Sequence, residues 1–325
     1  MKRNLKTALI LASLVSTSMI WAVLGKGTAH LRLRDSGASR LAVATSGRSR
    51  IKDVPRPIRF REDEDLGLLV RMWVNGAGPY TFAIDTGAGA TILSSRVASE
   101  TRVSIDRRQS FKISGLSGIG NPTFYQKAFV SSLAIGDESN YVSTRGAIIL
   151  TDHLPAGIDG ILDPTEIYWP LGYTIDIANG EMSAFDPYAN PLRSSDDEAL
   201  DGTVVQWLLA ANDRRPFVRL ADGRRALLDT GSRFGLLVPV SGEVSDARNE
   251  ERNEPDAARD LAGGGLHVRK VAPTTVRIGA LVLRRVPTNL LNTDADAPVL
   301  LGRQALRPFH LTFDPVNRLI RLAPE

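Results

Sequence analysis

The chain has 325 residues, 43% of them hydrophobic, which is enough to bury two cores of ordinary size and is long for one. It contains no cysteine, which excludes disulfides, a thiol nucleophile and a cysteine-ligated metal. Its four histidines include no pair at zinc-ligand spacing, so we expect neither a metal nor a cofactor. The formal net charge of +4 is uneven: residues 1–57 hold eleven Lys and Arg against two Asp, a net charge of +9, which leaves −5 for the remainder.

The first 24 residues have the order of charged and apolar residues that is typical of an exported protein. Lys2, Arg3 and Lys6 precede an apolar stretch that ends at Leu24, which predicts a signal peptide or an uncleaved signal anchor. Arg outnumbers Lys 33 to 7, a bias that hints at a high-GC bacterial source, so export would mean the periplasm. We therefore expect a periplasmic or membrane-anchored protein, and the sequence leaves open whether residues 1–24 are cleaved.

Residues 25–57 are rich in Gly, Ser, Arg and Ala and show no sustained periodicity, which predicts a flexible basic stalk. A nucleic-acid-binding arm is the alternative. We do not favour it, because a hydrophobic segment precedes the arm and no aromatic residues are interleaved with its basic ones. A stalk that lies on anionic lipid is the simpler interpretation, so we expect a membrane partner and no nucleic acid.

From residue 58 onward, short apolar runs rich in Val, Ile, Leu and Phe alternate with Gly, Pro, Asn and Asp, a pattern that predicts strands and hairpins rather than helices. The segments VNGAG at residues 74–78 and LADG at residues 220–223 are hairpin-turn signals. Each turn lies just before a strand that ends in the same tripeptide. The fold should therefore be mainly β.

That tripeptide is Asp-Thr-Gly, which occurs at residues 85–87 and again at residues 229–231, each time directly after an apolar run. One copy should arise by chance in roughly one chain of this length in fifteen, and two in matching contexts far more rarely. A tight turn is the simplest interpretation of a single copy. Two carboxylates at the ends of buried strands, each followed by a turn that glycine permits, can instead face each other as a catalytic pair.

The surroundings of the two motifs repeat as well, which indicates an internal duplication. Three pairs of segments recur in the same order: residues 115–120 with 263–265, 159–162 with 299–302, and the Phe-Asp-Pro segments 185–187 with 313–315. We therefore predict an N-terminal lobe at residues 58–189, an interlobe linker at residues 190–202 and a C-terminal lobe at residues 203–325.

With these paired motifs, residues 58–325 resemble the retropepsin-like and pepsin-like aspartic proteases. DTGSRFGLLVPVS is similar to the pepsin-type active-site strand and turn, and LLGRQAL at residues 300–306 looks like the retropepsin segment that leads into the C-terminal helix. The resemblance implies a mainly β, bilobal fold, with two pseudo-symmetric β-barrel-like lobes and a cleft between them. One residue departs from the family pattern: Asp163 stands where the family's hydrophobic-hydrophobic-Gly motif would place glycine.

The same resemblance assigns roles to individual residues. The pair and its support would be Asp85, Thr86, Gly87, Asp229, Thr230 and Gly231. The aspartates would be catalytic, the threonines would interlock their hydroxyls beneath them, and the glycines would let the backbone turn close to the carboxylates. Substrate-binding flaps are implied in both halves, at Gly115, Gly118, Ile119 and Gly120 and at Gly264 and Gly265.

By this resemblance the protein is an aspartic endopeptidase that cleaves proteins or peptides near a membrane. Two carboxylates about 3 Å apart share one proton, and the ionised partner activates water. We expect a monomer, because one chain supplies both aspartates. A catalytically silent peptide-binding or scaffold module is the alternative from another class. A carbohydrate hydrolase with two carboxylates is weaker, because such enzymes place their acids farther apart.

The residue that follows each tripeptide differs between the halves, with Ala88 in the first and Ser232 in the second. A serine hydroxyl can donate a hydrogen bond to Asp229, and a hydrogen bond to the charged form favours ionisation. We therefore predict that Asp229 is the ionised base, that Asp85 carries the proton, and that the Ser232 hydroxyl is the cause.

Overall fold

The part of the chain that the structure describes is mostly strand, at 53% against 7% in helices, as the sequence predicts. A computed structural model describes residues 13–15, 53–115, 123–145, 148–193, 202–209, 213–240, 258–259, 265–293 and 297–325. Its strands are β1 (Ser13–Val15), β2 (Ile58–Arg59), β3 (Arg61–Asp63), β4 (Gly67–Val74), β5 (Ala77–Ile84), β6 (Thr91–Ser94), β7 (Ser104–Gly115), β8 (Thr123–Phe129), β9 (Leu133–Ile135), β10 (Tyr141–Val142), β11 (Ile148–Thr151), β12 (Gly160–Leu162), β13 (Gly172–Asp176), β14 (Glu181–Phe185), β15 (Thr203–Gln206), β16 (Phe217–Arg219), β17 (Arg225–Asp229), β18 (Leu236–Val240), β19 (Ala258–Arg259), β20 (Gly265–Ile278), β21 (Leu281–Asn292), β22 (Val299–Gly302), β23 (Phe309–Asp314) and β24 (Leu319–Pro324). Its helices are α1 (Ser95–Glu100), α2 (Pro164–Tyr168) and α3 (Arg303–Leu306).

An eleven-stranded sheet positions the first Asp-Thr-Gly motif. Its strand order is β1-β7-β8-β11-β6-β12-β5-β4-β9-β10, and β3 pairs with β4. The β4–β5 hairpin turns at Asn75 and Gly76, whose φ angles of 50° and 79° are left-handed, so the predicted VNGAG turn is confirmed. Strand β5 then runs between β4, antiparallel, and β12, parallel, and ends directly before Asp85.

A seven-stranded sheet, in the order β16-β17-β22-β18-β21-β20-β19, positions the second motif by the same local arrangement. The β16–β17 hairpin closes through Gly223, where φ is 87°, and this confirms the predicted LADG turn. Strand β17 lies between β16, antiparallel, and β22, parallel, and ends at Asp229. In both sheets, a further strand, β6 or β18, pairs antiparallel with the parallel neighbour.

A third, six-stranded sheet contains strands from both halves of the chain, in the order β15-β24-β23-β13-β14-β2. Strand β13 pairs with β23 in register Tyr173↔Phe313, and these two rings stack with their centroids 4.6 Å apart. Trp207 and Tyr168 extend this aromatic core, and all four side chains are buried. The halves are therefore joined by a continuous hydrogen-bonded sheet with a common core. None of the three sheets closes into a barrel.

Two of the predicted repeat pairs are misaligned. The first Phe-Asp-Pro begins at Phe185, at the end of the second strand of the β13–β14 hairpin. The second begins at Phe313, in the first strand of the β23–β24 hairpin. These two segments are therefore not equivalent. Leu162 pairs with Ile84 just as Leu301 pairs with Leu228. The segment equivalent to residues 299–302 is therefore 160–163, one position later than the predicted 159–162.

Several predictions concern residues outside the described ranges. The signal segment at 1–24 and the stalk at 25–57 are described only at 13–15, where β1 pairs antiparallel with β7, and at 53–57. Across the described residues, no helix combines the length and apolar character needed to span a membrane. The division into lobes at 58–189 and 203–325, with a linker at 190–202, stays a prediction.

Candidate active site

The structure brings Asp85 and Asp229 together, although 144 residues separate them, and neither is exposed to solvent. Their strands hold them through the parallel neighbours: the Asp85 N–H donates to the Leu162 carbonyl at 2.9 Å, and Asp229 pairs with Gly302. A Cβ atom placed on Gly87 would lie 2.8 Å from Asp229 Cγ, so the first turn passes directly against the second carboxyl. Only glycine fits at residue 87 for this reason.

Backbone N–H groups fix one oxygen of each carboxyl. Gly87 N–H donates to Asp85 Oδ1 at 2.7 Å, and Gly231 N–H donates to Asp229 Oδ1 at 2.9 Å. The Oδ2 atoms of both aspartates are buried and accept no hydrogen bond from any described group. The two carboxyls are within hydrogen-bonding reach of each other, so a proton on one carboxyl can be donated to the other.

Burial and mutual repulsion make the two aspartates unequal acids. Burial raises the pKa of Asp85 well above its ordinary value, and the negative charge of Asp229 raises it further. Burial also raises the pKa of Asp229, to about 6, against a hydrogen bond from Asp85, the N–H groups of Ser232 and Gly231, and the charge of Arg303. Over an intermediate pH range, Asp85 is therefore the protonated member of the pair and Asp229 the ionised one.

The predicted hydrogen bond from the Ser232 hydroxyl is wrong. Ser232 Oγ is buried and has no hydrogen-bond partner among the described residues, whereas the Ser232 backbone N–H donates to Asp229 Oδ1 at 3.1 Å. The turn places the N–H, not the side chain, at the carboxylate, and every residue type except proline supplies an N–H. The predicted order of the two pKa values agrees with the structure, but the stated cause does not.

Thr86 and Thr230 interlock beneath the carboxyls. Each threonine N–H donates to the other's Oγ1 at 3.1 Å. Each hydroxyl then donates across to the opposite half, Thr86 to the Leu228 carbonyl at 2.6 Å and Thr230 to the Ile84 carbonyl at 3.2 Å. These four bonds are fully buried and tie the ends of β5 and β17 to each other.

Residues 70–162 match the aspartyl protease family. This aspartyl protease-like segment includes the first Asp-Thr-Gly motif and ends at Leu162 of β12, which holds Asp85. The match covers less than a third of the chain and does not reach the second motif. No curated protein matches the chain.

The glycine-rich flaps that the sequence predicts are described only at their edges. Gly115 ends β7 and Gly265 begins β20, while Gly118, Ile119, Gly120 and Gly264 lie outside the described residues. The strands on either side of each segment pair antiparallel, β7 with β8 and β19 with β20. The role of these segments stays a prediction, as does catalysis by the two aspartates.

A third buried carboxyl, Asp163, lies next to Asp85, directly after strand β12, which holds that aspartate. The strand register makes it the counterpart of Gly302 in the other half. Its Oδ1 accepts the Thr165 N–H at 2.8 Å and caps α2. Burial, followed by the charge of Glu166, raises the pKa of Asp163 to about 8, and the Asp163 charge in turn raises the pKa of Asp85. Asp163 departs from the family motif in the sequence, and no sequence pattern predicts a role for it.

Arg303, in the LLGRQAL segment, also belongs to this site, and the sequence predicts no function for it. It begins α3, its N–H donates to the Ser232 carbonyl at 2.8 Å, and its positive charge lowers the pKa of Asp229. No cluster of three or more His, Asp or Glu side chains suited to a metal ion occurs in the described part of the chain. Besides burial and each other, the groups that set the protonation of the two aspartates are backbone N–H groups, one neighbouring acid, Asp163, and one arginine, Arg303.

We predict that Thr230→Ala destabilises the protein, because it removes the acceptor of the buried Thr86 N–H and the hydroxyl that donates to the Ile84 carbonyl. The expected cost of leaving the Thr86 N–H unpaired is about 1–3 kcal/mol. Thr230→Ser retains the hydroxyl and should lose much less. Urea unfolding of the three proteins measures the difference, and equal losses for Ala and Ser would contradict the role given to the hydroxyl.

We predict that Asp163→Asn flattens the pH dependence of stability. Because its folded pKa of about 8 exceeds its ordinary value of 3.8, Asp163 contributes stability below pH 4 that is lost as pH rises through 8. The slope contributed by one such group is about 1.4 kcal/mol per pH unit. Asparagine keeps the acceptor for Thr165 and does not titrate.

The free energy of unfolding between pH 5 and 7.5 tests this expectation, with the exposed carboxyl variant Asp152→Asn as control. The Asp163→Asn protein should lose less stability over this range than wild type and control. Three parallel curves would contradict a protonated Asp163.

Proposed function

We propose that this protein is an aspartic endopeptidase, in which Asp85 and Asp229 activate a water molecule to hydrolyse peptide bonds. The observation that carries the proposal is the pair of buried carboxyls whose Oδ1 atoms are held by backbone N–H groups while the Oδ2 atoms accept no hydrogen bond from described groups. Such a pair holds one proton over an intermediate pH range, and this is the state that acid–base catalysis on water requires.

In this mechanism Asp229 is the base and Asp85 is the acid. Asp229 removes a proton from water as the water oxygen attacks the carbonyl carbon, and Asp85 donates its proton to the carbonyl oxygen. A tetrahedral diol forms without a covalent bond to the enzyme. Asp229 then gives its proton to the leaving amine while the C–N bond breaks, and a hydroxyl proton of the diol returns to Asp85. The N–H groups of Gly231 and Ser232, which donate to Asp229 Oδ1, and the positive charge of Arg303 support this division of roles.

The substrate that suits this arrangement is an extended peptide. It would cross both halves of the chain and form main-chain hydrogen bonds to the glycine-rich segments at residues 115–120 and 263–265. Both carboxyls are fully buried, so the residues that cover them have to move before a peptide and a water molecule reach the Oδ2 atoms.

We further propose that the protein works as a monomer on proteins at or near a membrane, exported through its N-terminal segment. One chain supplies both aspartates, which supports a monomer. The charged and apolar order of residues 1–24 and the basic composition of residues 25–57 support export and contact with anionic lipid.

Incubation of the purified protein with an unfolded protein substrate tests the function. Wild type should cleave it, a pepstatin-type inhibitor should block cleavage, and Asp85→Asn and Asp229→Asn should each lower kcat/KM by at least about 100-fold, because each removes one member of the acid–base pair. The exposed Asp222→Asn, in the β16–β17 turn, is the matched control and should cleave as wild type does.

If wild type and both aspartate variants were equally inert under all conditions, the chain would instead be a catalytically silent peptide-binding or scaffold module. Retained cleavage in both aspartate variants would contradict the assignment of the pair.

We predict that kcat/KM has a bell-shaped pH dependence centred above the acidic range. It should fall as pH drops through the raised pKa of Asp229, about 6, because the base becomes protonated. It should fall again at higher pH, where Asp85 loses its proton. Steady-state kinetics from pH 3 to 9 provide the measurement, and activity that continues to increase down to pH 3 would contradict the burial-raised pKa values.

A further inference from the structure

A cavity of about 790 Å³ has a lining that includes four basic and two acidic side chains. These are Arg233, Lys270, Arg303, Arg307, Glu62 and Glu64. Two of the lining residues are linked to the candidate active site along the chain: Arg233 follows Ser232, whose N–H donates to Asp229, and Arg303 follows Gly302, which pairs with Asp229. The charge of Arg303 also lowers the pKa of Asp229. These links make the wall a candidate contact for a side chain of a peptide bound across the carboxyls.

The acidic residues of the wall neutralise only part of its positive charge. Glu62 is already engaged, since its carboxylate lies 3.0 Å from Arg307 Nη1 and 4.0 Å from Arg303 Nε. Glu64 contributes its backbone carbonyl, which accepts from Arg303 Nη2 at 3.0 Å, and its side chain is exposed. Four cations against two carboxylates leave a net charge of +2 on the wall.

Arg303 has a buried hydrogen-bond donor that lacks an acceptor among the described residues. Its side chain is 5% exposed, yet its Nη1 forms no hydrogen bond with any described residue. A buried guanidinium donor without an acceptor is unfavourable, and a carboxylate is the partner whose geometry fits the planar fork of arginine. Nη1 itself is buried, so the Arg303 side chain has to turn toward the cavity that it lines before an incoming carboxylate supplies the missing acceptor.

We propose that this cavity is a specificity subsite that binds an acidic side chain, Glu or Asp, of the substrate peptide through Arg303, with Lys270 at its rim. The inference rests on the proposed peptidase function and adds a substrate class to it. A single negative charge suits the wall better than a phosphate dianion, because Glu62 and Glu64 remain nearby. The side chain would anchor the peptide while the scissile bond lies over the two aspartates.

Peptides that differ only by Glu or Gln at one position test the subsite. Moving the substitution along the peptide on both sides of the cleaved bond finds the position that faces the cavity. At that position, wild type should favour Glu over Gln by about 10- to 100-fold in kcat/KM, the range expected for a charge-assisted hydrogen bond. The preference should appear mainly in KM, because the contact is present in the ground state as well.

Variants of the wall identify its anchor. Arg303→Gln should abolish the preference for Glu, and Arg303→Lys should restore part of it, because the charge returns without the planar fork. Lys270 is exposed, so Lys270→Gln should not affect folding. It should reduce the preference for Glu by a few-fold, because one positive charge of the cavity is lost. Arg277→Gln, exposed on the same strand β20 and outside the cavity lining, is the control and should leave the preference intact.

Equilibrium binding to the Asp85→Asn protein separates the subsite from the proposed function. Fluorescence anisotropy with labelled Glu and Gln peptides should give the same order of preference without cleavage. Tighter binding of the Glu peptide that depends on Arg303 would support the subsite even if no peptide were cleaved, which would then overturn the peptidase alone. Equal affinity for Glu and Gln peptides at every position would overturn the subsite.

A free carboxyl terminus carries the same chemistry, so each peptide is also compared as its C-terminal amide. Preference for an internal Glu in both forms supports a side-chain subsite. Preference for the free terminus alone, with no effect of an internal Glu, would overturn it in favour of recognition of the chain end.

Discussion

Two aspartates buried side by side are the constraint on which the rest of the structure depends. Asp85 and Asp229 have no exposure to water, so ionising both would place two negative charges together in a poorly solvated site. One proton on the pair removes the second charge and lets one carboxyl donate a hydrogen bond to the other. The parallel strands β12 and β22 and the Thr86–Thr230 interlock hold the carboxyls in this unfavourable proximity.

The two halves reach the pair by the same topology and surround it with different charges. Behind Asp85 lies Asp163, whose pKa of about 8 keeps this acid neutral at the lower pH values at which the pair holds one proton. Behind Asp229 lies Gly302, where a Cβ atom would come within 2.3 Å of the Phe234 carbonyl, and then Arg303, which adds positive charge. The Arg303 charge favours a negative charge on Asp229 and a proton on Asp85, so the pseudo-symmetric frame holds two unequal carboxyls.

The sequence predicts the parts of this site that follow from local patterns. Repeated Asp-Thr-Gly tripeptides after apolar runs indicated the paired carboxyls, and Asn-Gly and Asp-Gly signals predicted the hairpins before them. The sequence also shows that Asp163 replaces the glycine of the family motif. It does not show that this acid is buried next to Asp85, because that depends on strand packing. Likewise, the sequence does not show whether the hydroxyl or the N–H of Ser232 faces the carboxylate. Nor does it show that Arg303 has one buried nitrogen without a partner among the described residues.

The central claim, that the two carboxyls share one proton, is tested most directly by the pKa of Asp85 in the presence and absence of the Asp229 charge. Carbon-13 NMR titration of aspartate-labelled protein gives this value, and the Asp85 signal is identified by its loss in Asp85→Asn. Because the charge of Asp229 raises the pKa of Asp85, the account predicts a lower Asp85 pKa in the Asp229→Asn protein than in wild type. The same Asp85 pKa in both proteins would contradict a shared proton and with it the proposed chemistry.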